Sequence, residues 1–356
     1  MPAKSLQGRK PTIIDVAREA GVSVGTVSRV INNVGSVGTD LRERVLKVAG
    51  ALRYLPDQAA QSMRTRTTRA VGVMVSDISN PLFSSTVSAA EDVLYRNGYN
   101  MILANSRDRV EMELDIIALF KRRRIDGMII TLSNESEPRV LSLLSALALP
   151  TVLLERESRI AIDQVSTDHY AGAFQAVRHL LDLKHRRIGL ITVTRAAAPG
   201  RQRAKGYSEA HRAAGVPMDP FLTSFDGFLP DAGYQAAYRM LVNPNPPTAL
   251  VVGANQLPGV IRAIRTLKIT VPGQLSIIQI GDTDTAQLHQ PPITAVRWEF
   301  QKVGAAAAEL LISRLSEETL HQKHRTIVLP TELILRKSCA PPMPSPKNRK
   351  ASSRGK

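Results

Sequence analysis

The sequence predicts two kinds of structure in one chain: an all-α helix-turn-helix headpiece, then an α/β body of parallel, doubly wound sheets divided into two lobes. Three observations predict this. Between Thr12 and Tyr54, apolar residues recur at helical spacing in three short segments, with a glycine where the first two meet. From residue 70 onward the pattern changes to short apolar runs separated by helix-length segments, the signature of repeated βαβ units. Breaks near Ser166 to Asp168 and near Pro291 to Trp298 divide those units into two similar groups, so the chain crosses between lobes more than once.

In the stretch "IIDVAREAGVSVGTVSRVIN", Thr12 is placed to cap the first helix, with Asp15 three residues on as its capping-box partner. Val16, Ala17 and Ala20 form the apolar stripe, and Gly21 suits a left-handed C-cap. Ser23 can cap a second helix that turns Val27, Val30 and Ile31 inward and leaves Val24, Gly25, Ser28, Arg29 and Asn32 outward. Such a face suits a major groove: Arg reads guanine, Ser and Asn bond base edges or phosphates, and Val touches a thymine methyl. The plainer alternative is a helical hairpin with a solvated face. A third helix from about Thr39 to Tyr54 sets Leu41, Val45, Val48 and Leu52 on one side and closes a three-helix unit that Pro56 ends.

Residues 57 to 64, "DQAAQSMR", are long enough for about two helical turns, which are marginal alone in water and would order only against a partner. Met63 is the large apolar residue there and resembles the wedges that minor-groove proteins insert between base steps. A flexible linker is the competing reading. Charge favours nucleic acid. Residues 1–69 carry 12 Lys and Arg against 5 Asp and Glu, and residues 336–356 carry 7 against 0. The middle is almost balanced at 28 against 26, so the positive field gathers beside the candidate reading head rather than spreading evenly.

In the body, "AVGVMVS", "YNMILAN", "DGMIIT", "PTVLLE", "RRIGLITV", "TALVVGAN" and "LSIIQIG" read as buried parallel strands. A cleft between two such lobes is a natural ligand site. The tail, residues 336–356, ends in "KNRKASSRGK" and reads as disordered and attracted to phosphate. The single cysteine, Cys339, excludes an internal disulfide framework. "MPAKSLQGRK" has no apolar signal region, and the apolar stretch near Leu141 to Leu154 is broken by Pro150 and too short to span a bilayer. A cytoplasmic protein with no membrane contact is expected.

Enzyme signatures are missing: there is no G-x-G-x-x-G, no P-loop and no metal motif. His321 and His324 have a ligand-like spacing, but no Cys or carboxylate cluster accompanies them, and a solvated loop pair explains them. The chain is therefore expected to be no enzyme and to need no cofactor or metal. A binding protein without DNA activity is the other alternative, and the headpiece argues against it.

The headpiece motif, "YLPDQAAQSMR", "NPLF" at 80–83, "HRRIGLI" at 185–191 and "RQRAKGY" at 201–207 together resemble the lactose and purine repressor family, over about residues 11 to 335. The resemblance implies a headpiece (1–55), a hinge helix and linker (56–69) that folds on the operator, and a two-lobed effector and dimerisation domain (70–335) like the periplasmic sugar-binding proteins. It also implies a homodimer on a pseudo-palindromic double-stranded operator, and thus a transcriptional regulator, a repressor by expectation. By position, Val24 and Gly25 would specify the operator, Ser28, Arg29 and Asn32 would contact bases and phosphates, and Met63 would be the wedge. Thr12, Ser23, Thr26, Gln58 and Ala59 complete the implied DNA-contacting set.

In the cleft the same resemblance implies effector contacts from Phe83, Glu155, Arg203, Phe228 and Asn255. Their chemistry suits the role, with carboxylate and amide for hydroxyls, Arg for a carboxylate or a hydroxyl pair, and aromatics for an apolar face. The chain departs from the family where Asn255-Gln256 replaces Asn-Asp and where Gly281 stands at an expected carboxylate. Fewer acids beside a retained Arg203 favour an anion, since an unpaired buried charge is costly. "GDTDTAQL" also looks like the gluconate-type members. A sugar acid is the expected effector.

Overall fold

The computed structural model describes residues 9–32, 35–54, 67–147, 149–227, 229–316 and 323–343. Gln58, Ala59 and Met63, with most of the expected hinge, lie outside them, as do Phe228, His321 and residues 344–356. The chain divides into two compact units that meet at Thr68 and Arg69.

The first unit holds α1 (Ile13–Ala20), α2 (Val24–Ile31) and α3 (Thr39–Ala51). The Asp15 carboxylate accepts from the Thr12 N–H at 2.9 Å and the Thr12 hydroxyl at 2.7 Å, which locks the entry to α1. Gly21 takes φ +63°, the left-handed C-cap that a side chain would strain. Ser23 Oγ then accepts from the Thr26 N–H at 3.1 Å and starts α2. Val16, Ala17, Ala20, Val27, Val30, Val45 and Ala49 make the small core, with Val48 and Leu52 packed against it. Leu41, expected there, is only half-buried, and Ala49 takes the central place.

The second unit is two parallel sheets. Lobe 1 has β1 (Ala70–Val75), β2 (Asn100–Asn105), β3 (Gly127–Ile130), β4 (Thr151–Leu154), β5 (Asp163–Thr167) and a late strand over Thr326–Leu329. It is layered with α4 (Pro81–Arg96), α5 (Val110–Arg122) and α6 (Pro138–Leu147). Lobe 2 has β6 (Ile188–Ile191), β7 (Thr223–Ser224), β8 (Ala249–Gly253), β9 (Ser276–Ile280), β10 (Thr294–Arg297) and a last strand over Glu332–Ile334. Its helices are α7 (His169–Asp182), α8 (Ala198–Ala213), α9 (Pro230–Leu241), α10 (Leu257–Thr266) and the short α11 (Asp284–Leu288). Helix α12 (Phe300–Arg314) returns to lobe 1 and packs on α4. With the late strands named β11 and β12, the sheet orders are β11-β5-β4-β3-β1-β2 and β12-β10-β9-β8-β6-β7, with β12 antiparallel to β10.

The seven apolar runs each contain a strand, but β2 is not buried as expected. It lies at a sheet edge, where Ile102 and Leu103 are 36% and 42% exposed. An edge strand has a neighbour on one side alone, so part of its surface stays open although α4 packs against it. The chain crosses between lobes three times, after β5, after β10 and between β11 and β12. The third crossing and strands β5, β7, β10, β11 and β12 were not among the expected runs. They are short, and β5 reads "DQVST", whose polar residues bond at the sheet end rather than following an apolar pattern.

The expected disordered tail begins too early at 336. Arg336 pairs with Asp282 at 2.6 and 2.8 Å, Ser338 is fully buried with its hydroxyl donating to the Ile277 carbonyl at 2.6 Å, and the Ala340 carbonyl accepts from the His185 ring at 2.9 Å. Residues 336–340 thus close the end of lobe 2. Composition hid this because the basic and proline-rich stretch beyond them dominates the window.

Candidate nucleic-acid interface and ligand cleft

On α2 the exposed residues are Val24, Gly25 and Arg29, while Thr26, Ser28 and Asn32 are half-buried. Arg29 stands in the last turn, with Val24 and Gly25 at the first. The Asn32 amide donates to the Ser28 carbonyl at 2.8 Å and to its hydroxyl at 3.2 Å, so Ser28 and Asn32 hold each other and would exchange those bonds for any on a base or phosphate. Thr12 and Ser23 spend their hydroxyls on caps. Their position at helix starts still presents free backbone N–H groups and positive dipole ends, the arrangement that receives phosphates.

In the second unit, a cavity of about 100 Å³ lies between the lobes, at the C-terminal ends of both sets of strands. Phe83, Glu155, Arg203 and Asn255 all line it, so four of the five residues expected in the cleft are brought together there. Phe83 comes from the first turn of α4, and Glu155 follows β4 at φ +55°. Arg203 lies on α8 and Asn255 just past β8.

Arg203 is 5% exposed. Its Nη1 donates to Thr192 Oγ1 at 3.1 Å, its Nη2 lies 3.4 Å from His169 Nδ1, and its Nε has no partner among the described residues. A guanidinium only donates, so His169 Nδ1 is the acceptor and its Nε2 carries the proton, donated at 2.7 Å to Glu155. Thr167 Oγ1 also donates to Glu155, at 2.6 Å. A relay therefore runs from a lobe 1 carboxylate through His169 to the lobe 2 guanidinium.

Burial pushes Arg203 down to about 10, with Glu155 opposing and Arg156 adding to the fall. Burial likewise lowers His169 against the pull of Glu155. For Glu155, burial acts upward but is outweighed by His169 and Thr167, which hold the carboxyl below its usual range. Arg203 is thus not the isolated charge expected from the sequence, since Glu155 reaches it through one ring. Its Nε is still buried without a partner among the described residues.

Several lining residues were not among those expected. Arg156 donates through Nη1 to the Glu155 carbonyl at 2.7 Å and through Nε to the Leu132 carbonyl. His169, Asp108 and Trp298 also line the cavity. Trp298 stands edge-on to His169 (5.4 Å, 87°) and to Phe300 (5.2 Å, 89°). It is the chain's one tryptophan, a signal the sequence did offer. Gly281, at φ +96°, suits a side chain poorly: that backbone would be strained, and a Cβ would press within 3.1 Å of Ala254, 3.2 Å of Leu82 and 3.3 Å of Trp298. Asp282 is turned into the Arg336 pair, so both lining carboxylates, Asp108 and Glu155, come from lobe 1.

Beside the cavity the lobes are clasped directly. The buried Glu135 carboxylate of lobe 1 accepts from the Ala198 N–H at the start of α8 at 3.1 Å and pairs with Arg201, which also reaches Glu157 at 3.1 Å. A carboxylate at a helix N-terminus is favoured by the partial positive charge there. Among the described residues no group of three or more His, Cys, Asp or Glu side chains is arranged to hold a metal, and no helix is long and apolar enough to cross a membrane.

Residues 12–57 match the model for bacterial regulatory proteins of the lacI family, and residues 177–339 match the periplasmic binding protein-like domain. The HTH-type transcriptional repressor PurR of Haemophilus influenzae (strain PittEE) is 30% identical over 330 residues, covering 92% of this chain and 98% of the relative. Among solved structures, the complex of the transcriptional regulator CelR with cellobiose is 28% identical, with a TM-score of 0.70 over 92% of this chain and 99% of the other. The lac repressor dimer bound to operator and the anti-inducer ONPF has a TM-score of 0.83 over 93% and 100%; at 24% identity it speaks for the fold alone.

Proposed function

The chain belongs to the lacI family of bacterial regulatory proteins, and from that premise we propose which residues carry its DNA-binding and effector-controlled regulation. It is a DNA-binding transcriptional regulator with an effector-binding domain, related to repressors. We assign operator reading to the exposed face of α2, with Arg29 on guanine, Val24 and Gly25 setting preference, and Thr12, Ser23, Thr26, Ser28 and Asn32 positioning the helix on the duplex. Gln58, Ala59 and Met63 are assigned to the hinge contact. The working form is a homodimer on a pseudo-palindromic site in the cytoplasm, and binding, with no catalytic step, is its role.

The effector enters the cavity between the lobes and is held by Phe83, Glu155, Arg203, Asn255 and Phe228. A ligand can move such a protein between states only by binding one lobe arrangement better than the other, which contacts to both lobes allow. We propose a small hydroxylated carboxylate, a sugar acid, as that ligand. The observation that carries this is the sealed, unpartnered Nε of Arg203. A second reading, a neutral sugar, is favoured by the acid Asp108 on the same cavity, with CelR as a relative solved with cellobiose.

The test is an operator shift assay at fixed salt. Arg29→Ala should cost about 1 to 3 kcal/mol of specific binding with the fold intact. Arg203→Ala should bind the operator normally and ignore the effector. A calorimetric screen in which a neutral sugar binds tightly and no sugar acid does would replace the first reading by the second.

A further inference from the structure

We propose that Asp108 is the residue with which lobe 1 reads the hydroxyl groups of the effector, opposite the acid-binding Arg203 of lobe 2. This deepens the sugar-acid reading above and rests on it for the identity of the other end of the ligand. Asp108 follows β2 in the left-handed region, φ +52°. It lines the inner cavity and also an adjoining recess of about 310 Å³ that runs to Gly227 and Leu229. It therefore stands where the two spaces meet.

Its Oδ1 is sealed from solvent and receives no hydrogen bond among the described residues. A loop aspartate with a structural task looks different here. Asp168 accepts from the Ala171 N–H at 2.8 Å, and Asp219 from the Phe221 N–H at 3.0 Å. Asp108 has no such backbone donor. Its cationic neighbour, Arg156, directs Nε and Nη1 to main-chain carbonyls. Leaving a buried acceptor unmet is costly, so the site is complete only when a ligand brings a donor. Burial raises the Asp108 carboxyl, with Arg156 opposing and Asp77 adding.

Arg203 presents the opposite need, a sealed Nε that lacks an acceptor. One molecule that satisfies both ends carries a carboxylate or other acceptor at one end and hydroxyls at the other. An unsubstituted carboxylic acid meets only the Arg203 end. A neutral polyol can donate to Asp108 and accept from the Arg203 Nε–H, but it brings the guanidinium no charge beyond that of Glu155.

The experiment is a titration of full-length protein with D-gluconate, D-glucuronate, hexanoate and D-glucitol, followed by Trp298 fluorescence and by calorimetry. Wild type is expected to bind a sugar acid at least tenfold more tightly than hexanoate. Asp108→Ala and the isosteric Asp108→Asn should weaken the sugar acid by roughly tenfold and leave hexanoate within about twofold. Arg203→Ala should weaken both acids. Unchanged sugar-acid affinity in both Asp108 variants, or equal losses for sugar acid and hexanoate, would overturn the assignment. If wild type binds glucitol and no acid, the acid reading fails; a tenfold loss of glucitol binding in Asp108→Ala would then uphold Asp108 as the hydroxyl reader, and no loss would refute it. Binding of none of the four probes to wild type would reject the assignment as well.

Discussion

Asp163 and Arg314 are each less than 5% exposed, and they form a two-pronged pair at 2.5 and 3.0 Å that ties β5 to the end of α12. Asp163 also accepts from the Arg325 N–H at 2.7 Å, and Arg314 donates to the Lys323 carbonyl at 2.6 Å. A buried ion of this kind is tolerable only while its partner is present. Arg314→Ala should therefore destabilise the second unit by about 3 to 5 kcal/mol, read as a fall in the urea midpoint with unchanged slope. A loss below about 1 kcal/mol would show that water reaches the stranded carboxylate. Nothing in the sequence joins residues 151 positions apart, whereas Arg203 was legible because its motif, "RQRAKGY", is local.

Helix α12 shows what a single small residue decides for an element. Its apolar residues alone read as another amphipathic helix, but Gly304 lies against the Thr86 carbonyl of α4 so closely that an added Cβ would overlap it. Close approach, rather than a turn, explains this glycine. Gly304→Val should push the two helices apart and cost about 1 to 3 kcal/mol, seen as a lower thermal midpoint with the headpiece's own transition unmoved. Equal stability would mean that α12 can slide along α4 without losing its packing. The headpiece helices are the contrasting case. Each capping residue lies three residues from a bonding partner in the chain, so Thr12, Gly21 and Ser23 announce the first two helices directly.

For the whole molecule, acid stability follows from its buried imidazoles. Burial holds His169, His179, His185 and His211 below the ordinary value of 6.5. The unfolded chain takes up those protons first, so it binds more of them than the native state once pH falls through about 6.5. Stability should then decline toward pH 5 and be regained above 7; a flat profile of unfolding free energy over that range would contradict the burial of these rings. The proposed homodimer also belongs to this scale. Tyr95 is 76% exposed, and the apolar edge strand β2 adds Ile102 and Leu103 on lobe 1. Leu103→Glu is expected to shift the light-scattering mass toward one chain, as a charge on an edge blocks pairing.

By itself, the sequence determined whatever depends on short range. Helix caps, the α2 face, seven of the strand-bearing runs and the family motifs all lie within windows of a few turns, where propensity and periodicity act. Tertiary structure alone decided which polar groups are left without partners. Asp108 is an unremarked loop acid in the chain, and it becomes a candidate reader only because burial seals its Oδ1 beside the cavity. The Arg203 relay likewise needed folding to set His169 between two lobes. Hydrogen-bond satisfaction and desolvation are properties of an assembled environment, and no local pattern encodes them.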